Sequence, residues 1–284
     1  MTTRIGRYGI WARGNRLTPD LASTIERLGF STIWIGGSPS DDLGLAEDLL
    51  AATSSLTVAT GIVNIWTTDA TRIAESYARI AARFPGRFIL GVGAGHPETS
   101  GSAAEKPFDA VVGYLDALDD GGVARSDVML AALGPRMLRL ARERTAGAHP
   151  YLVTPEHDRR AREILGDELL LAPEQRVVLR EDPEEARAIG RPTVAKPYLG
   201  LVNYTNNLRR LGFSDDDLSG TGSDHLIDEL VVYGDPATIA SRLGSRFDAG
   251  ADHVAIQLLL ADDDDAAVEY ARLAQILSLS PAES

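Results

Sequence analysis

The sequence predicts an α/β fold, a single (β/α)8 TIM barrel spanning residues 1–284, with insertions after strands four and seven. Three observations carry that expectation. The length suits one barrel, an architecture of about 250 residues. Apolar, β-branched runs of strand length alternate with longer stretches of helical period, the pattern of a parallel sheet covered by helices. No break in strand direction is visible, and right-handed crossovers of such units close into a barrel. An open doubly wound sheet is the alternative.

Strands are expected at residues 5–11, 32–35, 57–65, 87–93, 127–133, 150–154, 176–180 and 253–260. Helix starts are marked by Thr18-Pro19, Thr154-Pro155 and Asp235-Pro236, each a capping residue before a proline at the first helical position. Gly29, Gly166 and Gly250 follow apolar periodic runs, as helix C-caps do. Two connections are long: residues 95–108 after strand four, and residues 181–250 between strands seven and eight. Both leave the carboxyl ends of strands, the face on which barrel active sites form, so both are candidate binding loops. A peripheral helical decoration is the competing reading for the second.

Composition narrows the chemistry. The net charge of −13 argues against a nucleic-acid or anionic-membrane surface, because both partners need a contiguous basic face. There is no cysteine, which removes disulfides, thiolate ligands and a Cys nucleophile. The five histidines form neither His-x-His nor His-Glu-x-x-His, so no metal is expected, and there is no Gly-x-Ser-x-Gly elbow. The acidic run from Asp262 to Asp265 reads as the start of the last helix, where carboxylates favour the positive end of the dipole. The first residues lack the apolar stretch of a secretory signal, and no run approaches the roughly 20 apolar residues of a membrane span. A cytoplasmic protein is expected.

Three glycine-bearing segments stand at expected strand ends. Gly91-Val92-Gly93-Ala94-Gly95-His96 fails as a dinucleotide fingerprint, because its third glycine is early and Pro97 follows in place of a helix. It reads better as a strand end where a flat ligand approaches the backbone. Thr60-Gly61-Ile62-Val63-Asn64 ends strand three, where a glycine marks a bulge or close approach. Ala131-Ala132-Leu133-Gly134-Pro135-Arg136 joins a strand to a helix N-terminus whose free N–H groups, with Arg136 beside them, can hold a phosphate. A merely tight turn is the alternative there.

These segments, in this order, resemble the luciferase-like flavin and deazaflavin enzymes, in particular the coenzyme F420-dependent oxidoreductase branch. The resemblance runs from strand one to the last helix. It rests on Thr32-Ile33-Trp34-Ile35-Gly36-Gly37-Ser38, on Phe84-Pro85-Gly86-Arg87-Phe88 followed by Gly91-Val92-Gly93, and on Leu133-Gly134-Pro135. Gly147-Ala148-His149-Pro150-Tyr151 and Asn203-Tyr204-Thr205-Asn206-Asn207-Leu208 complete it, and these two are specific to one F420 subfamily.

The resemblance implies a cofactor site made of Gly36, Gly37, Gly61, Ile62, Ala94, Gly95, Gly134, Pro135 and Arg136. It further implies a non-prolyl cis peptide at Gly61-Ile62 whose bulge supports the deazaflavin ring. His96 is the candidate proton-transfer residue, since relatives place an acid or base just past strand four and imidazole titrates near neutral pH. In the family's sugar-phosphate dehydrogenases that position is a glutamate, and a histidine stands where this chain has Gly37, so sugar-phosphate oxidation is not expected. Trp11, Asn64 and Trp66 are candidates for the substrate pocket, though tryptophans packing a barrel rim are as ordinary.

The implied function is hydride transfer between F420 and a small organic substrate. The alternatives are an FMN-dependent monooxygenase of the same fold and a non-catalytic flavin- or deazaflavin-binding protein. The expected partner is a small molecule, with no nucleic acid and no membrane, and a homodimer is left open.

Overall fold

The computed structural model describes residues 5–95 and 106–280. Its strands are β1 (Tyr8–Arg13), β2 (Thr32–Gly36), β3 (Thr57–Gly61), β4 (Val63–Asn64), β5 (Phe88–Gly93), β6 (Val128–Leu130), β7 (Gly147–Ala148), β8 (Leu170–Leu171), β9 (Glu174–Val177), β10 (Val231–Val232) and β11 (Val254–Leu258). They form one parallel sheet in the order β10-β9-β11-β1-β2-β3-β5-β6-β7-β8, with β4 beside β5. The two ends of this sheet meet along a single piece of chain. β8 pairs with β7, while β9, two residues further on, pairs with β11. Across the junction Glu174 N donates to Pro150 O and Ala255 N donates to Pro173 O. The result is a curled α/β sheet whose strand ends converge on one face.

Around it lie α1 (Pro19–Arg27), α2 (Gly44–Ala51), α3 (Ala70–Arg83), α4 (Pro107–Asp120), α5 (Pro135–Arg144), α6 (Pro155–Leu165), α7 (Pro183–Ala195), α8 (Val202–Arg210), α9 (Asp215–Leu218), α10 (Asp224–Leu230), α11 (Pro236–Asp248) and α12 (Ala266–Ile276). The caps follow the sequence. Thr18 accepts from Leu21 N, Asp235 from Thr238 N, and Asp265, the last residue of the acidic run, from Ala267 N. Thr154 occupies the cap position of α6 without a side-chain bond. Gly29, Gly166 and Gly250 all have positive φ, the conformation a helix end needs and only glycine adopts freely.

Several strand bounds differ from expectation. The sixth strand is Gly147–Ala148 and not residues 150–154, because Pro150 has no N–H for the ladder and Leu152 turns into the left-handed region at φ 56. The seventh is divided into β8 and β9 and ends at Val177, so residues 178–180 lie beyond it. The third is interrupted at Ile62, the fifth ends at Leu130, and the first begins at Tyr8. The expected long connection over residues 181–250 carries α7 to α11 and β10.

Alternation along the strands builds two layers. Ile10, Ile33, Ile35, Val58, Leu90 and Val92 face the helices. Trp11, Trp34, Ala59, Ile89, Met129, Ala172 and Ala255 fill the inside of the curl. Burying each large aliphatic chain contributes about 1.5–3 kcal/mol, so the sheet–helix layer dominates the stability. A further cluster, with Leu201, Leu208, Phe213, Leu226 and Leu230, packs α8 to α10 onto Leu152 and Val178 beside the strand ends. Among the described residues no helix is long and apolar enough to cross a membrane.

Candidate functional site at the strand ends

Inside the curl the aromatic layer is wired by histidines. Trp34 stacks on His149 with ring centroids 4.2 Å apart and donates its indole N–H to His253 Nε2 at 3.0 Å. His253 Nδ1 lies 2.5 Å from Gly6 O and His149 Nδ1 lies 2.6 Å from Ala172 O. A carbonyl only accepts, so each Nδ1 carries the proton and each Nε2 is a lone pair. Burial pushes both rings down to about 4, which keeps them neutral. Among the described residues His149 Nε2 has no hydrogen-bond partner.

Above this floor Trp11 organises the near wall. Its indole N–H donates to Gly61 O at 3.1 Å, and the Gly61-Ile62 peptide is cis, as the resemblance implies. The indole fills the space that two glycines leave. A Cβ at Gly36 would lie 2.1 Å from Trp11 Cζ2, and one at Gly61 would lie 2.7 Å from Trp11 Nε1 and 3.3 Å from His149 Nε2. The missing side chain at Gly61 therefore accommodates Trp11, where the sequence suggested room for a ring. Gly37, at φ +86, has open space at its Cβ position. With Gly36, Arg13 and Ser40 it lines a cleft of about 330 Å³ beside α2.

Asn64 and Trp66 hold the next loop. Asn64 Oδ1 accepts from Trp66 N at 3.0 Å, and the carboxamide packs so closely on Gly95 that a Cβ there would meet Asn64 Nδ2 at 2.7 Å. Asn64 thus braces Gly95, and Ala94 with it, while Trp66 Nε1 is buried without a partner among the described residues. His96 lies outside the described residues.

The far wall is polar. Glu174 and Arg176, two apart on β9 and so on one face, are each 1% exposed. Arg176 Nη2 donates to Tyr151 Oη at 3.1 Å, and Tyr151 donates to Gln257 Oε1 at 2.9 Å. Arg176 Nε and Glu174 Oε1 face each other at 3.9 Å, and neither has a hydrogen-bond partner, nor has Arg176 Nη1. Burial opposes charge on Arg176, but Tyr151 and Glu174 outweigh it, while burial pushes the Tyr151 hydroxyl and the Glu174 carboxyl up. The ring of Tyr151 sits 5.4 Å from Trp11, which ties this wall to the Gly61 carbonyl. These residues were missed in the sequence because the strand was placed at its apolar half. The available signal was a pair of charges at i and i+2 entering an apolar run.

At the β6–α5 junction Gly134 is the N-cap of α5 with no side-chain bond, and Pro135 opens the helix. Arg136 points elsewhere: its guanidinium lies 3.6 Å from the Phe108 ring centroid and 3.9 Å from Asp109 Oδ1. The described residues contain no cluster of three or more His, Cys, Asp or Glu suited to a metal.

Residues 13–121, which run from the end of β1 to the end of α4, match the family model described as luciferase-like monooxygenase. The match covers less than half of the chain. Solved structures extend the likeness to the fold as a whole. An F420-dependent secondary alcohol dehydrogenase in complex with an F420-acetone adduct has a TM-score of 0.71 at 14% identity, covering 96% of this chain and 99% of that one. The coenzyme F420 dependent tetrahydromethanopterin reductase from Methanopyrus kandleri has a TM-score of 0.70 at 17% identity, covering 97% and 99%. The oxygenating constituent of 3,6-diketocamphane monooxygenase from Pseudomonas putida, in complex with FMN, has a TM-score of 0.68 at 14% identity, covering 97% of each chain. No curated protein matches the chain by sequence.

Proposed function

We propose that this chain is a (β/α)8-barrel oxidoreductase that passes a hydride between coenzyme F420 and a small organic substrate at the strand ends. The observation that carries the reading is the pairing of two unlike walls. One is aromatic and glycine-built, made of Trp11, Gly36, Gly37 and Gly61. The other is a buried donor set, Arg176 and Tyr151, with unpartnered guanidinium nitrogens. A flat ring suits the first wall and a polar oxygen suits the second. The chain's own groups would supply orientation and proton transfer.

The residues fit the cofactor at two open backbone positions. A Cβ at Gly37 would meet nothing, and one at Gly134 would meet only Arg210 Nη2 at 3.8 Å. Gly36, Gly37, Gly61 and Ile62 would hold the ring, with Ala94 and Gly95 at its edge, and Gly134 and Pro135 would receive a phosphate. When bound, the deazaflavin supplies the hydride chemistry. Arg176 orients a substrate oxygen and stabilises negative charge on it. The Tyr151 hydroxyl, kept protonated by burial, donates to that oxygen when it takes the place of Gln257 Oε1. His96 is the second proton-transfer residue of this proposal.

Fluorescence titration of the full chain with F420, reduced F420 and FMN tests the reading. Micromolar or tighter binding of F420 is expected, followed by turnover with a panel of carbonyl compounds and alcohols. Micromolar FMN binding with none for F420 would overturn it in favour of a flavin enzyme.

A further inference from the structure

We propose that Arg210 and Asn207, on the α8 helix of the long connection, close over the N-terminus of α5 as a clamp for a phosphate group. This rests on the reading of the strand ends as a cofactor site, and it names residues that reading does not contain. The first turn of an α-helix leaves N–H groups without intrahelical partners, and the ten-residue α5 has no N-cap side chain to accept from them, since Gly134 stands at the N-cap. The space a Gly134 side chain would occupy is bounded by a single neighbour, Arg210 Nη2 at 3.8 Å.

That guanidinium is not otherwise engaged by an acid. Among the described residues no carboxylate lies within ion-pair distance of it, whereas the adjacent Arg209 pairs with Asp215 at 2.8 Å. Arg210 Nη2 has one long contact, 3.5 Å to Asn207 Oδ1. Asn207 is 3% exposed, and among the described residues its Nδ2 has no partner. A buried amide nitrogen without an acceptor costs about 1–3 kcal/mol, so a donor left in this place points to an acceptor that arrives with a ligand. Arg160 fixes the end of α8 to α6 by donating to Arg210 O at 2.7 Å, which holds the clamp beside the junction.

The assignment also settles which arginine serves the junction. Arg136, next to Gly134 in sequence, is drawn away to Phe108 and Asp109 with its side chain 66% exposed. In a chain of net charge −13 an anion must be held by such local donors. Asn207 falls within Asn203-Tyr204-Thr205-Asn206-Asn207-Leu208, so the clamp gives that segment a task. The ligand chemistry is a phosphate ester. A diester, as in F420, and a monoester, as in FMN, share it.

The test compares phosphate-bearing rings with their phosphate-free counterparts. F420 and FMN, and the ring compounds lacking phosphate, are titrated by fluorescence against the parent chain, Arg210→Gln, Asn207→Ser and Arg136→Gln. Arg210→Gln should weaken the phosphate-bearing ring about 10- to 100-fold and flatten the salt dependence of its binding, with the phosphate-free ring unchanged. Asn207→Ser should act in the same sense, and Arg136→Gln should change affinity less than threefold. Equal affinity of Arg210→Gln and parent for the phosphate-bearing ring, or equal losses for both rings, would overturn the clamp. Inorganic phosphate separates the clamp from the cofactor reading. If no ring binds the parent, the cofactor reading fails, and a phosphate-dependent rise in melting temperature that Arg210→Gln abolishes still supports the clamp. No such rise in the parent in that case overturns the clamp as well.

Discussion

Trp11 is the residue on which the near wall turns, because one indole occupies the space of two absent side chains and bonds the carbonyl of Gly61. Gly36→Ala should cost about 1–3 kcal/mol by overpacking, since its Cβ would sit 2.1 Å from the indole. In a Trp11→Leu background the same substitution should cost under about 1 kcal/mol, a coupling that a double-mutant cycle of urea denaturation reads directly. Additive losses would mean that something other than the indole constrains Gly36. The far wall makes a second residue-scale prediction. Arg176→Met leaves Glu174 buried without its cation and should cost about 3–5 kcal/mol, most of it recovered by adding Glu174→Gln. A double variant no more stable than the single one would show that the two charges do not compensate each other. Neither relation was legible in the sequence, because Gly36 and Gly61 meet Trp11 only once three strands are in register, and Arg176 was read as the edge of a strand whose inward face begins at Glu174.

At the scale of elements the sequence is most readable where the signal is local. Helix starts depend on a residue and its neighbours within a turn, and the structure places α1, α6 and α11 where Thr18-Pro19, Thr154-Pro155 and Asp235-Pro236 put them. Strands six and seven were misplaced because their limits are set by partners. Pro150 has no N–H to give a ladder, and the two-residue β7 and β8 are bounded by their pairing with each other and with β6. The same Thr-Pro dipeptide nevertheless does different work in two helices. The Thr18 hydroxyl accepts from Leu21 N at 3.2 Å, and Thr154 makes no side-chain cap. Thr18→Val should therefore cost about 0.5–2 kcal/mol and Thr154→Val under about 0.5 kcal/mol, measured by the shift in urea midpoint. A larger loss at Thr154 than at Thr18 would contradict this difference.

The molecule as a whole joins its two sheet ends through residues 170–177, and it places neutral imidazoles near that closure, which links stability to pH. Burial holds His149, His157 and His253 at about 4, below the ordinary 6.5. Between pH 4 and 6.5 the unfolded chain binds protons that the folded chain refuses, so the stability these rings allow at pH 7 is lost as pH falls through that window. Asp158 acts in the opposite sense. Burial, only partly offset by its 2.8 Å bond from Arg246 Nη1, pushes it up to about 6 from 3.8, so the folded chain takes up a proton there and gains stability as pH falls from 6 to 3.8. Burial raises the Glu174 carboxyl in the same sense as Asp158, so three rings oppose two carboxyls, and the rings prevail. The urea midpoint should be lower at pH 5 than at pH 7, and an equal or higher midpoint at pH 5 would refute the argument. His253→Gln supplies the decisive comparison, because an amide can accept from Trp34 Nε1 and donate to Gly6 O without titrating. If His253 is one source of the decline, this variant loses less stability than the parent between pH 7 and pH 5; an unchanged decline removes His253 from the account.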